Sequence, residues 1–380
     1  MPVEFHGSNQ ATIGVEIELQ IIDPVTKDLT PRAQEVLALC EKRDICHVKA
    51  EIHQSMLEVD TKISADIKGC RESLEETLSG LYSVVEELGL QLSVSGTHPF
   101  QKWPERQIFP SARYLGLHKK FRWLVKRMNV YGLHVHIGIP DAEKAISLTR
   151  ALIRYLPHLL ALSANSPFWH GEDTGMQACR PNILESFTTG GLPPYLESWK
   201  DYELYFETLS HARAVFSPKD FYWYVRPNPI FGTIEFRICD AVSSLHEILA
   251  IVSLIQNLVE WVNRDQSLCE WDIKQHWIIP ENLLIAARDG LNGVIMKDLS
   301  GSRTQIAGEL FELIEQLTPI AYSLNNYDEF LYLKTILKKG NGALRQLRAF
   351  KETGSLGDVV QMSSEEFALS LNSKNLVNVL

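Results

Sequence analysis

Acidic and imidazole side chains recur at every second position in four separate stretches of this chain. "TIGVEIELQII" (residues 12–22) carries Glu16 and Glu18, and "HQSMLEVDT" (53–61) carries Glu58 and Asp60. "GLHVHIG" (132–138) carries His134 and His136, and "GTIEFRICD" (232–240) carries Glu235 and Arg237. Alternate residues of a strand point to one face. In extended form, Gly14, Glu16, Glu18 and Gln20 oppose Ile13, Val15, Ile17 and Leu19, while Met56, Glu58 and Asp60 share a face. Gly132, His134, His136 and Gly138 oppose Leu133, Val135 and Ile137, and Thr233, Glu235, Arg237 and Cys239 oppose Ile234, Phe236 and Ile238. Any one such strand reads equally well as a sheet with a solvated side. Four together do not, because solvated faces mix Lys, Thr and Gln with both signs of charge.

Carboxylates gathered on one face repel, and some must keep a proton unless cations neutralise them. Glu and His ligands without Cys suit Mg2+ or Mn2+ better than a structural zinc site. The His-x-His pair alone fits a zinc site or plain core. Its combination with Glu16, Glu18, Glu58 and Glu235 points to divalent-metal chemistry.

The elements that must position these groups read as α+β. Strands are expected over 12–22, 53–62, 90–100, 132–140, 221–229 and 232–240, from β-branched content and alternation. Helices are expected over 32–42, 66–89, 110–129, 142–167 and 198–216, the fourth with Pro157 near its middle, and the chain is mainly helical from Leu245 onward. Residues 165–195 are rich in Pro, Gly, Asn and Thr, and a loop of that length suggests function. No repeat or low-complexity linker divides the sequence, so residues 1–380 are expected to form a single domain with a helical C-terminal region at 245–380.

The formal net charge of −10 disfavours general nucleic-acid binding, which needs basic surface. The six cysteines are scattered, with no CxxC pair, and read as reduced thiols of a cytoplasmic protein. No signal-peptide pattern and no uninterrupted membrane-length apolar run is evident; "ALIRYLPHLLALSA" comes nearest, broken by Arg154 and Pro157. Trp261, Trp271 and Trp277 read as core, and "LKKGNGALRQLRAFKETG" (337–354) as a solvated helix–turn–helix surface.

The motifs "TIGVEIELQ", "HQSMLEVDT", "GTHPFQKW", "GLHVHIG", "LLALSANSPFWHGEDTG", "RPNI", "VRPNPIFGTIEFRICD" and "ENLLIAARDGLNGVI" run in order over roughly residues 10–300. In that order they resemble the YbdK-like carboxylate–amine ligases, also called type 2 glutamate–cysteine ligases, of the glutamine synthetase-like superfamily. The resemblance implies a curved, mainly antiparallel six-stranded sheet forming a funnel for ATP, two or three Mg2+ ions (Mn2+ in their place being compatible) and small substrates, glutamate and an amine such as cysteine. It implies metal ligands at Glu16, Glu18, Glu51, Glu58, His134 and Glu235. It implies contact of Arg237 with ATP phosphates, with Arg237 and Glu235 as the catalytic pair. Arg226 and Arg180 are implied anchors for phosphates or carboxylates, Thr97 and His98 the lining of the acceptor pocket, and His136 a hydrogen-bonding neighbour. Two positions depart from the family: Ile17 replaces the middle of three acids, and Cys179 stands where a small hydroxyl residue is common. The implied reaction joins a carboxylate to an amine through an acyl phosphate. A guanidino kinase-like phosphotransferase and a non-catalytic metabolite-binding relative remain open as rivals. No nucleic-acid or membrane partner is expected, and a homodimer is.

Overall fold

The computed structural model describes residues 3–102, 105–270 and 273–372. Its centre is a seven-stranded sheet: β1 (Ile13–Ile22), β2 (Val48–Ala50), β3 (Met56–Asp60), β4 (Gln91–Ser93), β5 (Leu133–Gly138), β6 (Val225–Asn228) and β7 (Thr233–Phe236). The strands lie in the order β6-β7-β5-β1-β3-β2, with β4 paired to the far end of β1. Every pairing in this sheet is antiparallel. The strand beyond the expected six is β2, three residues that show too little alternation to be read from sequence.

The apolar sides of β1, β3, β5 and β7 are buried together, with Val15, Ile17, Leu57, Val135 and Phe236 at 0–1% exposure. Three helices cover them: Ile67–Glu87, Ala142–Leu152 and Leu245–Arg264. The first starts at Asp66, whose carboxylate accepts the Gly69 N–H at 2.9 Å and satisfies a donor that the first helical turn leaves unpaired. Leu245–Arg264 is buried along most of its length, and the polar residues it encloses, Glu247, Gln256 and Asn257, are paired inside the protein. It is the one helix among the described residues long and apolar enough to cross a membrane, and 89% of that stretch is buried inside the protein. One apolar core runs from Ile13 to Phe367, so the C-terminal helices share it with the sheet.

Several expectations are adjusted. The 142–167 helix is interrupted before Pro157, which lacks the N–H that a continuous helix needs: Ala142–Leu152 gives way to a 3-10 turn and then to Leu156–Ser163. The expected third strand shortens to β4, and the chain turns away after Ser93. β7 stops at Phe236, so Cys239 leaves the polar face and is buried in the core. Trp277 is 71% exposed, Trp261 packs partly against the core, and Trp271 lies outside the described residues. The helix Gly342–Thr353 is not simply a solvated surface, because Arg345 is drawn inward between Glu247 at 2.7 Å and Glu366 at 3.0 Å.

Candidate active site

Register turns four alternating strands into one polar surface. Glu16 of β1 sits opposite His134 of β5 and Asp60 of β3; Glu18 sits opposite Glu58; Glu235 sits opposite His136 on one side and Arg226 on the other; Lys49 of β2 sits opposite Glu58. A slip of one residue in any strand would turn its acids into the core. This face forms the floor of a cavity of about 370 Å3, which Arg113, Tyr114, Arg180 and Arg237 also line.

Two glycines flank the histidines for a steric reason. A Cβ at Gly132 would lie 2.1 Å from the Arg180 guanidinium, and one at Gly138 would lie 2.2 Å from the Asn9 carbonyl oxygen. They make room for close neighbours rather than a bend. The Gly132 N–H, in turn, donates to Glu18 Oε2 at 2.5 Å.

Three overlapping groups bring ligand atoms within 4.8 Å of one another: Glu16, His136 and Glu235; Glu16, Glu58 and His134; Glu18, Glu51 and Glu58. The side chains fit divalent cations on two observations. First, Nε2 of both His134 and His136 is buried without a hydrogen-bond partner. The nearest acid oxygens are 4.0 Å away on Glu18 and 3.6 Å away on Glu16, which is too far for a hydrogen bond but suits atoms that share an ion. Second, the carboxylates are charge-frustrated. Burial, then Glu16, Glu51 and Glu18, push the Glu58 carboxyl well above its ordinary range, and burial and Glu18 push Glu51 up to about 7. Burial also raises Glu18 despite Arg180 and Arg237.

The opposite end of the row is compensated. Burial alone would favour a protonated Glu235, but Arg226, His136 and Arg237 hold it well below the usual carboxylate range. Arg226 forms a two-bond fork to Glu235, 2.9 Å each, and Arg237 Nη1 donates to the same carboxylate at 2.5 Å. Asn228 adds a bond at 2.9 Å. Burial also opposes the Glu16 charge, but the His134 and His136 imidazoles hold it low. Burial and then Arg237 lower His134 to about 4, so its ring is neutral and can act as a ligand.

The structure brings Glu16, Glu18, Glu51, Glu58, His134, His136, Arg180, Arg226, Glu235 and Arg237 to one cavity. It does not bring Thr97 and His98 there. Thr97 Oγ1 donates to the Phe168 carbonyl at 2.8 Å. His98 is fully buried, 2.8 Å from the Lys27 carbonyl, and accepts the Gln101 N–H at 3.2 Å. Both brace the loop after β4. Arg226 is committed to Glu235 and to backbone carbonyls, and so serves as a clamp on that acid. Arg180 donates to the carbonyl oxygens of Arg237 and Ile238 at 3.2 Å and holds the chain beyond β7 in place. Cys179 is buried, with its thiol pushed up to about 12 by burial.

Sequence reasoning missed Lys49, Arg113, Tyr114, Lys219, Tyr222 and Asn228. Asn228 was legible, two residues after Arg226 on the same face. Lys49 lies on the three-residue β2, and Arg113 near the start of a helix, Ala112–Phe121, that buries no side chain fully and so leaves no periodic signal.

The sequence model of the glutamate-cysteine ligase family 2 matches residues 12–362 of this geometry. The chain belongs to that family. It is 38% identical over 363 residues to a protein of Gloeobacter violaceus provisionally named glutamate–cysteine ligase 2, covering 95% of this chain and 98% of that one. It is 36% identical to a similarly named protein of Solibacter usitatus, covering 93% of each. Family membership makes the protein an ATP-dependent carboxylate–amine ligase acting on small molecules. Two solved structures share the α+β fold. One is a glutamate–cysteine ligase from Francisella tularensis in complex with AMP (TM-score 0.67, 11% identity, 99% of this chain and 92% of that one). The other is a bifunctional glutathione synthetase from Pasteurella multocida (TM-score 0.69, 13% identity, 96% of this chain), of which this chain spans about half, 53%.

Proposed function

We propose that this family 2 ligase uses ATP to join the γ-carboxylate of glutamate to the amine of cysteine, or of another amino compound, through an acyl phosphate. The observation that carries the reading is one cavity in which two carboxylate–imidazole groups and one all-carboxylate group are lined up with Arg237 and Arg180. Each group would hold one Mg2+ or Mn2+ ion, with Glu16 and Glu58 shared. When bound, such ions neutralise phosphate charge and hold a triphosphate for in-line transfer.

The chain's own residues supply position and charge. Glu235 and the Arg180 anchor fix Arg237, so its guanidinium is oriented before substrate arrives. It faces the transferred phosphoryl group. A glutamate carboxylate oxygen attacks the γ-phosphorus, and ADP leaves. The amine nitrogen then attacks the acyl carbon, phosphate leaves, and the nitrogen loses a proton. No covalent enzyme intermediate is required. His134, neutral at physiological pH, has Nε2 available as a ligand, and His136 is held by Thr233 Oγ1 at 2.9 Å. Because one core joins the strands and the C-terminal helices, we read residues 1–380 as one catalytic unit, cytoplasmic and without a nucleic-acid or membrane partner.

Amine-dependent ADP release from ATP, Mg2+ and glutamate, run against a panel of amino acids and amines, tests the reading. Glu16→Gln, which damages two of the three groups, is expected to lower the rate at least a hundredfold with the fold intact. ADP release that needs no amine, or that Glu16→Gln leaves unchanged, would sink it. A guanidino kinase would instead yield a phosphorylated guanidine and no amide.

A further inference from the structure

One buried carboxylate lies outside the three acid groups and takes no part in the reaction as drawn. Asp240 stands just past the end of β7 and is fully enclosed. Its Oδ2 accepts the Asn165 N–H at 2.9 Å and the Ser166 hydroxyl at 2.7 Å. Its Oδ1 has no hydrogen-bond partner and lies 4.0 Å from Arg180 Nη1. Glycines leave room for both members of this pair. A Cβ at Gly96 would lie 2.5 Å from the Asp240 carboxyl carbon, just as one at Gly132 would meet the Arg180 guanidinium.

A carboxylate away from water is costly unless charge and hydrogen bonds compensate it, and a buried ion pair adds little net stability over apolar packing. What this pair fixes is direction. Arg180 makes three bonds to the Arg237 and Ile238 carbonyls, each 3.2 Å and so at the long end of the usual range. Bonds of that length hold the guanidinium plane loosely, and the Asp240 charge behind it completes the hold. In front, burial raises the Glu18 carboxyl and Arg180 is the strongest influence drawing it down, so the guanidinium sits between two acids.

The helix Gly342–Thr353 grips the same assembly from outside the cavity. Gln346, 1% exposed, donates from its side-chain amide to Asn165 Oδ1 at 2.7 Å and to the Asn165 carbonyl at 3.0 Å. The Ala343 N–H donates to the Ala164 carbonyl at 2.9 Å. A Cβ at Gly342 would lie 2.1 Å from Asn165 Oδ1, so the helix approaches as closely as a glycine allows. Contacts therefore run unbroken from this helix through Asn165, Asp240 and Arg180 to the Arg237 backbone. Among the described residues the cavity lining ends at Arg237, which leaves the helix without a direct part in the chemistry.

We propose that Asp240 is a positioning residue for Arg237, and that the helix Gly342–Thr353 braces the same arginine through Gln346 and Asn165. Asp240 orients Arg180, Arg180 holds the Arg237 carbonyl, and the Arg237 guanidinium thereby meets the terminal phosphate at a set angle. The proposal rests on the reading of Arg237 as the group that faces the transferred phosphoryl.

Calorimetric titration of the full chain with inorganic tripolyphosphate and Mg2+ tests it without turnover. The variants are Asp240→Asn and Gln346→Met, each made in the wild type and in an Arg237→Lys background. Asparagine keeps an acceptor for the Asn165 N–H and the Ser166 hydroxyl but removes the charge behind Arg180. Gln346→Met breaks no ion pair, and so remains informative if Asp240→Asn folds poorly. Asp240→Asn should weaken binding roughly tenfold, the value of one charge-assisted hydrogen bond, and Gln346→Met roughly threefold. In the Arg237→Lys background, where the guanidinium being aimed is gone, each should change binding by less than about twofold, which also shows that the variants are folded. Unchanged binding in the wild-type background would overturn the proposal. So would an equal loss in both backgrounds, which would make the contacts structural only. ADP release measured beside the titration separates the two readings. Coupling to Arg237 in a protein that releases no ADP with any amine keeps the brace and loses the ligase reading, whereas amine-dependent ADP release without that coupling does the reverse.

Discussion

Removing one carboxylate from the site should stabilise the metal-free protein, and Glu51→Gln is the cleanest case. Glu51 Oε2 accepts the Ile52 N–H at 2.9 Å, and the glutamine carbonyl can keep that bond. Burial and the neighbouring Glu18 raise the Glu51 carboxyl from 4.5 to about 7. One pKa unit corresponds to about 1.4 kcal/mol, and screening at a partly buried site trims the total, so ionising Glu51 in the metal-free fold costs about 2–3 kcal/mol. The sign follows from the raised folded-state value. The stability contributed by neutral Glu51 is complete below pH 4.5 and is lost as pH rises through about 7. Unfolding entropy of about 2 cal/mol/K per residue over 380 residues gives about 0.8 kcal/mol/K, so the gain amounts to about 3 °C in Tm. Thermal denaturation in EDTA at pH 5 and pH 8 measures it. Glu51→Gln should melt about 3 °C above wild type at pH 8 and level with it at pH 5, and excess Mg2+ should reverse the order at pH 8 by stabilising the wild type more. A variant no more stable than wild type at pH 8, or equally stabilised at both pH values, would refute the claim that the acids repel until cations arrive.

The same repulsion makes metal binding pH-dependent. Because Glu51 and Glu58 must shed protons to act as ligands, Mn2+ affinity should rise from pH 6 towards 7 by up to roughly tenfold per pH unit for each proton released, and a flat profile in calorimetry would contradict this. Arg226→Met should cost about 3 kcal/mol of stability, read by urea denaturation, because it leaves the Glu235 carboxylate, 1% exposed, with half its compensation. Arg113, exposed in the cavity lining, makes no ion pair among the described residues. Arg113→Ala should leave Tm within about 1 °C and lower kcat/KM about tenfold, the value of one charge-assisted bond to an anionic substrate; unchanged kinetics would remove it from the site.

The sheet and most of the site were legible because strand periodicity is strict. Glu16, Glu18 and Glu58 must share a face once their neighbours Ile17, Leu57 and Val59 are core, and the same holds for His134 with His136 around Val135. Glu51 has no such support: it follows the three-residue β2 in irregular chain, and only family resemblance singled it out. The rule failed where the strand ended. Beyond Phe236 the backbone turns, and Cys239 enters the core although it sits in phase with Glu235. Thr97 and His98 show another limit. A side chain's direction in a loop depends on contacts such as the Phe168 and Lys27 carbonyls, which come from 71 residues away in each case. The roles of the arginines were likewise out of reach of spacing. Arg226 alternates with Asn228 into the site, but its bond to Glu235 rather than to solvent depends on the register of β6 against β7.

The central claim is that this site activates a carboxylate by phosphorylating it. Turnover of glutamate labelled with heavy oxygen in its γ-carboxylate tests that most directly, with the released inorganic phosphate read by mass spectrometry. The account predicts one labelled oxygen per phosphate, delivered when the acyl phosphate breaks at the carbonyl carbon. Unlabelled phosphate released in step with amide would contradict it, because the donor carboxylate would then never have bonded to phosphorus.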